Sequence, residues 1–337
     1  MVREDPGSSE VIRKVVQKGN SELKPRLGMT TEMALLYNAE RSSKELLFIN
    51  PLKGKYISCS YKTEDLPDFK AMTVTSDNSI YMLEAKELEH ELQLSLSKHN
   101  HAKNVWEHEG MASVPKGPEY DMKCHEERLF EVDNILYFID FDKLEDRPLL
   151  EMRKYNRHTQ KWQDCSQLQF DEPIYYCATL SCGPYLYLLT STEVHRYDPI
   201  QDRWSVRNPS LELYFEVYIA VSMGTEIFCT DFEFSQTMVY DTELDHWQKL
   251  QGWSNPEDLD INDYASLFVL ENQLHVLLTC TNDDDEDEHL VCVYDRSADA
   301  WRHLKATLPD RKYFAYGSQC PVARIYLPYL NVQGKDT

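Results

Sequence analysis

The chain has 337 residues, 42 % hydrophobic and 12 % aromatic, which suffices for the core of one large domain or two modest ones. Its 57 acidic side chains outnumber 35 Lys and Arg, and a formal net charge of −22 with a pI near 4.9 sets it against phosphate backbones and anionic membranes. Nucleic acid and membrane are excluded as expected partners, and a protein carrying a basic segment is favoured.

In chain order, the first predicted element is a short helix over Ser8 to Lys18, "SSEVIRKVVQK", with Ser8 or Ser9 as cap and Ile12, Val15 and Val16 on one face. The rest reads as strands. "MALLYN" carries Leu36-Tyr37 and leads to "INPLKGKY" from Ile49. "FKAMTVT" and Ile80-Tyr81 lead to "HNHAKNVW" from His99. Leu136-Tyr137 leads to "YNRHTQKW" from Tyr155. "IYYCATL" and Leu186-Tyr187 lead to "YDPIQDRW" from Tyr197. "VYIAVSM" and Ile227-Phe228 lead to "YDTELDHW" from Tyr240, and "YASLFVL" and Leu274-His275 to "YDRSADAW" from Tyr294. One apolar segment is left over, within 315–327, "YGSQCPVARIYL".

The eight-residue phrases are copies of one unit. Their last residue is Trp106, Trp162, Trp204, Trp247 or Trp301, with Tyr56 in the first copy. Their second residue is Asn50, Asn100, Asn156, Asp198, Asp241 or Asp295. Asn and Asp bond nearby backbone groups and favour turns. A strand enters, the chain turns, and a strand leaves led by an aromatic. With the apolar runs upstream, each unit has four strands, a to d, and the phrase spans the c–d turn. Successive phrases lie 50, 56, 42, 43 and 54 residues apart. That period and strand count predict an all-β, six-bladed propeller of four-stranded blades, with five blades as the alternative. The first unit lacks strand a. The leftover C-terminal segment is expected to supply it and so to remove the open sheet edges.

These residues resemble the kelch family, most of all its kelch-repeat and BTB domain-containing subgroup. The resemblance rests on the aliphatic-aromatic strand, the Tyr-Asp/Asn turn and the Trp, and it covers residues 24–330. "KPRLGMTTEM", from Lys24, looks like the junction of a BTB-BACK half with a kelch half. Residues 1–23 would then be the helical remnant of a BACK-like region, and 331–337 a tail. The resemblance implies a non-catalytic substrate adaptor of a cullin-3 RING ubiquitin ligase, without cofactor. The propeller would capture the substrate, and cullin-3 would bind only through a BTB half that these residues do not include. A cytoskeletal or scaffolding kelch protein without a ligase role is the alternative. In one respect the chain departs from the family: it has no Gly-Gly at the end of strand b, where it reads "LEA", "IDF", "LTS", "CTD" and "LTC".

In such a meander the b–c loops and d-to-a connections leave from one face. From the strand b aliphatic to the phrase, the spacings are 13, 19, 19, 11, 13 and 20, so blades two, three and six carry insertions there. Long loops on a rigid scaffold are the usual place for recognition. These are acidic: Glu84, Glu87, Glu89 and Glu91 in blade two, Asp142, Glu145 and Asp146 in blade three, and Asp283, Asp284, Asp285 and Glu286 in blade six. The connections add Asp171, Glu172, Glu257 and Asp258, and Tyr214 is a candidate anchor. The expected partner is a protein with a basic segment, steered by this field.

No phosphate-binding glycine loop is present, and His99, His101 and Cys124-His125 lack partners at metal-site spacing. No metal and no catalytic residue is assigned. The nine cysteines form no C-x-x-C pair and are expected to be reduced and mostly buried. A cytoplasmic protein is expected, with nuclear, Golgi or cytoskeletal association as alternatives.

Overall fold

A computed structural model of the chain describes residues 30–40, 43–61, 69–87, 91–100, 105–115, 125–143, 146–207, 215–231, 233–253, 260–261, 265–281, 287–304 and 320–326. The expected helix, the tail and residues 24–29 of the junction lie outside them, while its last residues, Thr30 to Met33, open the first strand. Two compact units divide the chain: Glu32–Ala323, which holds the ring, and a unit of both terminal segments, 1–31 and 324–337.

Blade one contains β1 (Thr30–Glu40), β2 (Ser43–Asn50) and β3 (Lys55–Tyr61), and blade two contains β4 (Phe69–Val74), β5 (Ile80–Glu87), β6 (Glu91–Asn100) and β7 (Val105–Pro115). Blade three contains β8 (His125–Val132), β9 (Ile135–Asp142), β10 (Leu149–Asn156), β11 (Lys161–Asp164) and a short β12 (Leu168–Gln169). Blade four contains β13 (Cys177–Cys182), β14 (Tyr185–Thr190), β15 (Val194–Asp198) and β16 (Arg203–Val206). Blade five contains β17 (Ile219–Met223), β18 (Glu226–Thr230), β19 (Thr237–Asp241) and β20 (His246–Leu250). Blade six contains β21 (Asp260–Ile261), β22 (Ser266–Leu270), β23 (Gln273–Thr281), β24 (Asp287–Asp295) and β25 (Ala300–Leu304), and β26 (Val322–Tyr326) follows. Each blade is an antiparallel meander, and the six sheets form the predicted propeller.

Closure is as expected. The first sheet runs β26-β1-β2-β3, so the C-terminal strand supplies strand a. The Leu35 N–H donates to the Pro321 carbonyl at 2.8 Å, and the Cys320 thiol donates to the Leu35 carbonyl at 3.3 Å. The same seam is fastened from blade six. The Glu271 N–H donates to the Glu32 carboxylate at 2.8 Å, and Lys53 pairs with the Glu271 side chain.

Strand b is buried on both faces, which is why it reads as a nearly continuous apolar run. In β9, Leu136 and Phe138 pack toward blade two, while Tyr137, Ile139 and Phe141 pack toward blade four. Similar clusters fill the seams four–five, five–six and six–one, the last with Cys320. Tyrosines of strand b meet those of the next strand c edge-on: Tyr137 with Tyr197 at 6.1 Å, and Tyr187 with Tyr240 at 6.3 Å.

The repeated phrase is a hairpin with one physical recipe. Asp198 accepts from the N–H groups of Ile200 and Gln201 at 2.9 and 3.1 Å, and Asn156, Asp241 and Asp295 act alike. Four positions after this residue the chain turns left-handed, at Gly54, Gln160, Asp202, Asp245 and Asp299. Across the hairpin, Tyr197 packs on Trp204 at 5.3 Å, and Tyr155–Trp162, Tyr240–Trp247 and Tyr294–Trp301 pack at 5.2, 4.9 and 5.3 Å.

The left-handed aspartate also ties blades together. Asp202 accepts from the Tyr197 hydroxyl at 2.7 Å and from the Ser166 N–H of blade three at 2.8 Å. Tyr294 donates likewise to Asp299, which accepts the Gln251 N–H of blade five at 3.0 Å. Strand twist explains how this occurs. Roughly 20–25° per strand pair turns strand d far from strand a, so its end runs along the rim to the next blade's c–d turn. The first residues of these d-to-a connections therefore lie against c–d turns, not among the b–c loops.

Hydrogen bonds, with the Ser166 N–H first, hold the Asp202 carboxyl below its ordinary value of 3.8 against the opposing effect of burial. A depressed folded value stabilises the fold above the unfolded pKa, and that stability is lost as pH falls through the folded value. Asp202→Ala is expected to cost about 1–3 kcal/mol at neutral pH and to make the loss of stability below pH ~4 shallower. Urea titrations at pH 7 and pH 3 measure both; equal midpoints for variant and wild type would refute the staple. Ending the chain at residue 319 is expected to abolish the single cooperative melt, as read by calorimetry, and a wild-type transition would refute ring closure.

Candidate recognition face

The d-to-a connection of blades three and four is laid along the b–c turn of blade three. β12 pairs with β10 at Leu149 and Leu150. The Phe170 N–H donates to the Pro148 carbonyl at 2.9 Å, and the Gln169 amide donates to the Arg147 and Pro148 carbonyls at 2.7 and 3.0 Å. Further on, the Ile174 N–H donates to the Lys143 carbonyl at 2.8 Å, and Arg147 pairs with Asp171 at 3.1 Å. These bonds hold the connection that carries Asp171 and Glu172 along the turn that carries Asp146 and follows Asp142. Asp146, Asp171 and Glu172 are exposed and Asp142 is half-buried.

A buried charge cluster lies within the same blade. Glu126 of β8 pairs with Arg128 at 2.5 Å and with Lys143 at 3.0 Å. Burial alone would lower the Lys143 pKa, but attraction to Glu126 outweighs it, and the net direction is upward. Burial, reinforced by Glu126, pushes the neighbouring Cys177 thiol up to about 12. Phe170 meets His195 edge-on at 5.3 Å. Burial lowers the imidazole pKa of His195, and Glu193, 3.0 Å from its Nε2, opposes this.

The other predicted contacts fall out differently. In blades two and six the insertions are spent mainly on longer strands: β5 and β6 reach Glu87 and Glu91, and β23 and β24 reach Thr281 and Asp287. Glu84 is therefore not a loop residue. It lies in β5, 5 % exposed, and accepts from the Ser97 hydroxyl at 2.9 Å, with His108 Nδ1 at 3.9 Å. Glu87 and Glu91 stand on strands, because an extra two-residue period lengthens a hairpin instead of releasing a loop. Glu89, Glu145, Tyr214, Glu257, Asp258, Asp283, Asp284, Asp285 and Glu286 lie outside the described residues.

Sequence reasoning missed Tyr175, which is 70 % exposed. "IYYCATL" reads as one strand, yet β13 begins only at Cys177. Ile174 is buried and Tyr175 faces out, so the signal was the doubled tyrosine just before the strand. Cys165, Cys177, Cys182, Cys229, Cys292 and Cys320 are buried free thiols, and Cys59 is a half-buried one. Among the described residues no group of three or more His, Cys, Asp or Glu is placed to hold a metal, and no helix is long and apolar enough to cross a membrane.

No protein-family model matches the chain. It is similar to Kelch repeat and BTB domain-containing protein 8 of Homo sapiens, 27 % identical over 157 residues, which is 42 % of this chain and 25 % of that protein. The Mus musculus protein of the same name is 28 % identical over 158 residues, with 42 % and 25 % covered. The match thus spans about a quarter of the length of these curated relatives. Among solved structures, a putative 6-phosphogluconolactonase of Bacteroides fragilis superposes with a TM-score of 0.52 at 8 % identity, covering 88 % of this chain and 87 % of that one. One of Bacteroides uniformis gives 0.52 at 9 %, covering 84 % and 83 %. At such identity the likeness shows the propeller fold alone. The relatives and the repeat together support kelch kinship.

Removing one partner of a buried ion pair leaves the other charge uncompensated. Glu126→Gln leaves Arg128 and Lys143 facing each other and is expected to cost about 2–4 kcal/mol, less than a fully buried pair because both cations keep some solvent. Chemical denaturation measures this; a change within about 0.5 kcal/mol would show that the cluster is not a structural element.

Proposed function

We propose that this chain is the substrate-recognition propeller of a BTB-kelch adaptor for a cullin-3 ubiquitin ligase. It captures a protein bearing a basic segment on the acidic face of blades three and four. The observation that carries the reading is the set of hydrogen bonds that fixes the connection bearing Asp171 and Glu172 along the b–c turn of blade three, which bears Asp146 and follows Asp142. A fixed negative surface speeds encounter with a cationic partner and helps select it. The adaptor role is supported by similarity to a kelch-repeat and BTB domain-containing protein. In this reading the propeller is non-catalytic, binds no cofactor and works in the cytoplasm. Cullin-3 is reached through a BTB half.

Affinity capture from cytoplasmic extract at low and high salt tests this. The expected result is a reproducible protein partner, depleted several-fold at high salt, with cullin-3 recovered only when a BTB half is supplied. Salt-insensitive capture would refute the acidic-face reading. Cullin-3 recovered by these residues alone would refute the division of labour.

A further inference from the structure

Tyr175 is the most exposed aromatic ring among the described residues, at 70 %. Its mount is rigid. Ile174 on one side is 7 % exposed, and its N–H is bonded to the Lys143 carbonyl at 2.8 Å. Cys177, two residues on, is 6 % exposed and opens β13. The backbone is thus fixed at both ends while the ring stands in water. The fold gains nothing from burying this ring, whereas a partner would: a tyrosine with two side-chain torsions on a fixed backbone loses little entropy on contact.

The chemistry beside it is specific. Asp171 and Glu172 lie four and three residues before Tyr175, and both are exposed. Asp171 already holds a guanidinium of the chain's own: Arg147 Nη2 sits 3.1 Å from its carboxylate, with side-chain exposures of 69 % and 91 %. Such an exposed pair is worth little, so a second arginine can share or displace it. The same protein also sets arginine over tyrosine elsewhere, with Arg196 4.3 Å from the ring centre of Tyr185. A planar guanidinium can stack on a ring and bond a carboxylate at once, which a lysine ammonium cannot do as well.

We propose that the connection between blades three and four is a seat for an arginine side chain of a partner protein, with Tyr175 as the stacking surface and Glu172 and Asp171 as the carboxylates. The proposal rests on the recognition-face reading above and narrows its partner from basic to arginine-bearing. Tyr175 acts as the anchor of the contact, and the wider acidic field brings the segment to it.

Fluorescence anisotropy with two labelled peptides tests this on the whole chain: eight arginines alternating with serine, and the same peptide with lysine. The expected result is tighter binding of the arginine peptide, retained by Tyr175→Phe and weakened about 5- to 10-fold by Tyr175→Ala. Glu172→Gln is expected to weaken it as well. Tyr175 is exposed, so both tyrosine variants should melt as wild type does, and a melt on each preparation verifies folding. Unchanged binding by Tyr175→Ala, or equal affinity for the two peptides, would overturn the seat and leave the acidic face standing. A wild-type chain that binds neither peptide would overturn the face itself.

Discussion

An aspartate or asparagine that folds the backbone over its own side-chain oxygen, with a tyrosine and a tryptophan packed across the resulting hairpin, is the constraint on which this propeller depends. The turn leaves one residue left-handed, and in blades four, five and six that residue is Asp202, Asp245 or Asp299, bonded by the preceding tyrosine. Asp202 and Asp299 also hold the end of the previous blade's outer strand. One short motif thereby closes a hairpin, sets its twist and fixes its neighbour.

The packing that follows is layered. Strand b is apolar on both faces because a blade lies against each. Two buried carboxylates find partners: Glu126 sits between Arg128 and Lys143, and Glu84 accepts from Ser97. At the end of strand b, Thr190 takes the N–H groups of Thr192 and Glu193 and so ties its b–c turn. A side chain stands there in place of the glycine that the family pattern leads one to expect.

The face that these blades present inherits its rigidity from the same bonds. The pairing of β12 with β10 and the bond from Ile174 to Lys143 hold the connection bearing Asp171 against the b–c turn of the same blade. The surface is therefore prearranged, and little ordering cost would fall on a partner. Much of the fold was legible, because the repeat writes the same local physics many times over and every copy supports the others. The face was legible only in part. Acidic composition showed in "DFDKLEDR", but the burial of Glu84 did not, since a strand two residues longer looks the same in sequence as a loop.

Local chemistry thus settled the blade. Turn-forming Asp and Asn, the cross-hairpin Tyr and Trp, and the apolar runs between them act over a few residues, and a sequence displays such short-range preferences directly. The closing C-terminal strand was also foreseeable, since a ring with one strand missing leaves an unpaired edge. Only the tertiary structure decided which acids are exposed, which outer strands reach the next blade and where Tyr175 points. Those depend on accumulated strand twist and on hydrogen bonds between residues tens of positions apart, and no periodicity in the chain records them.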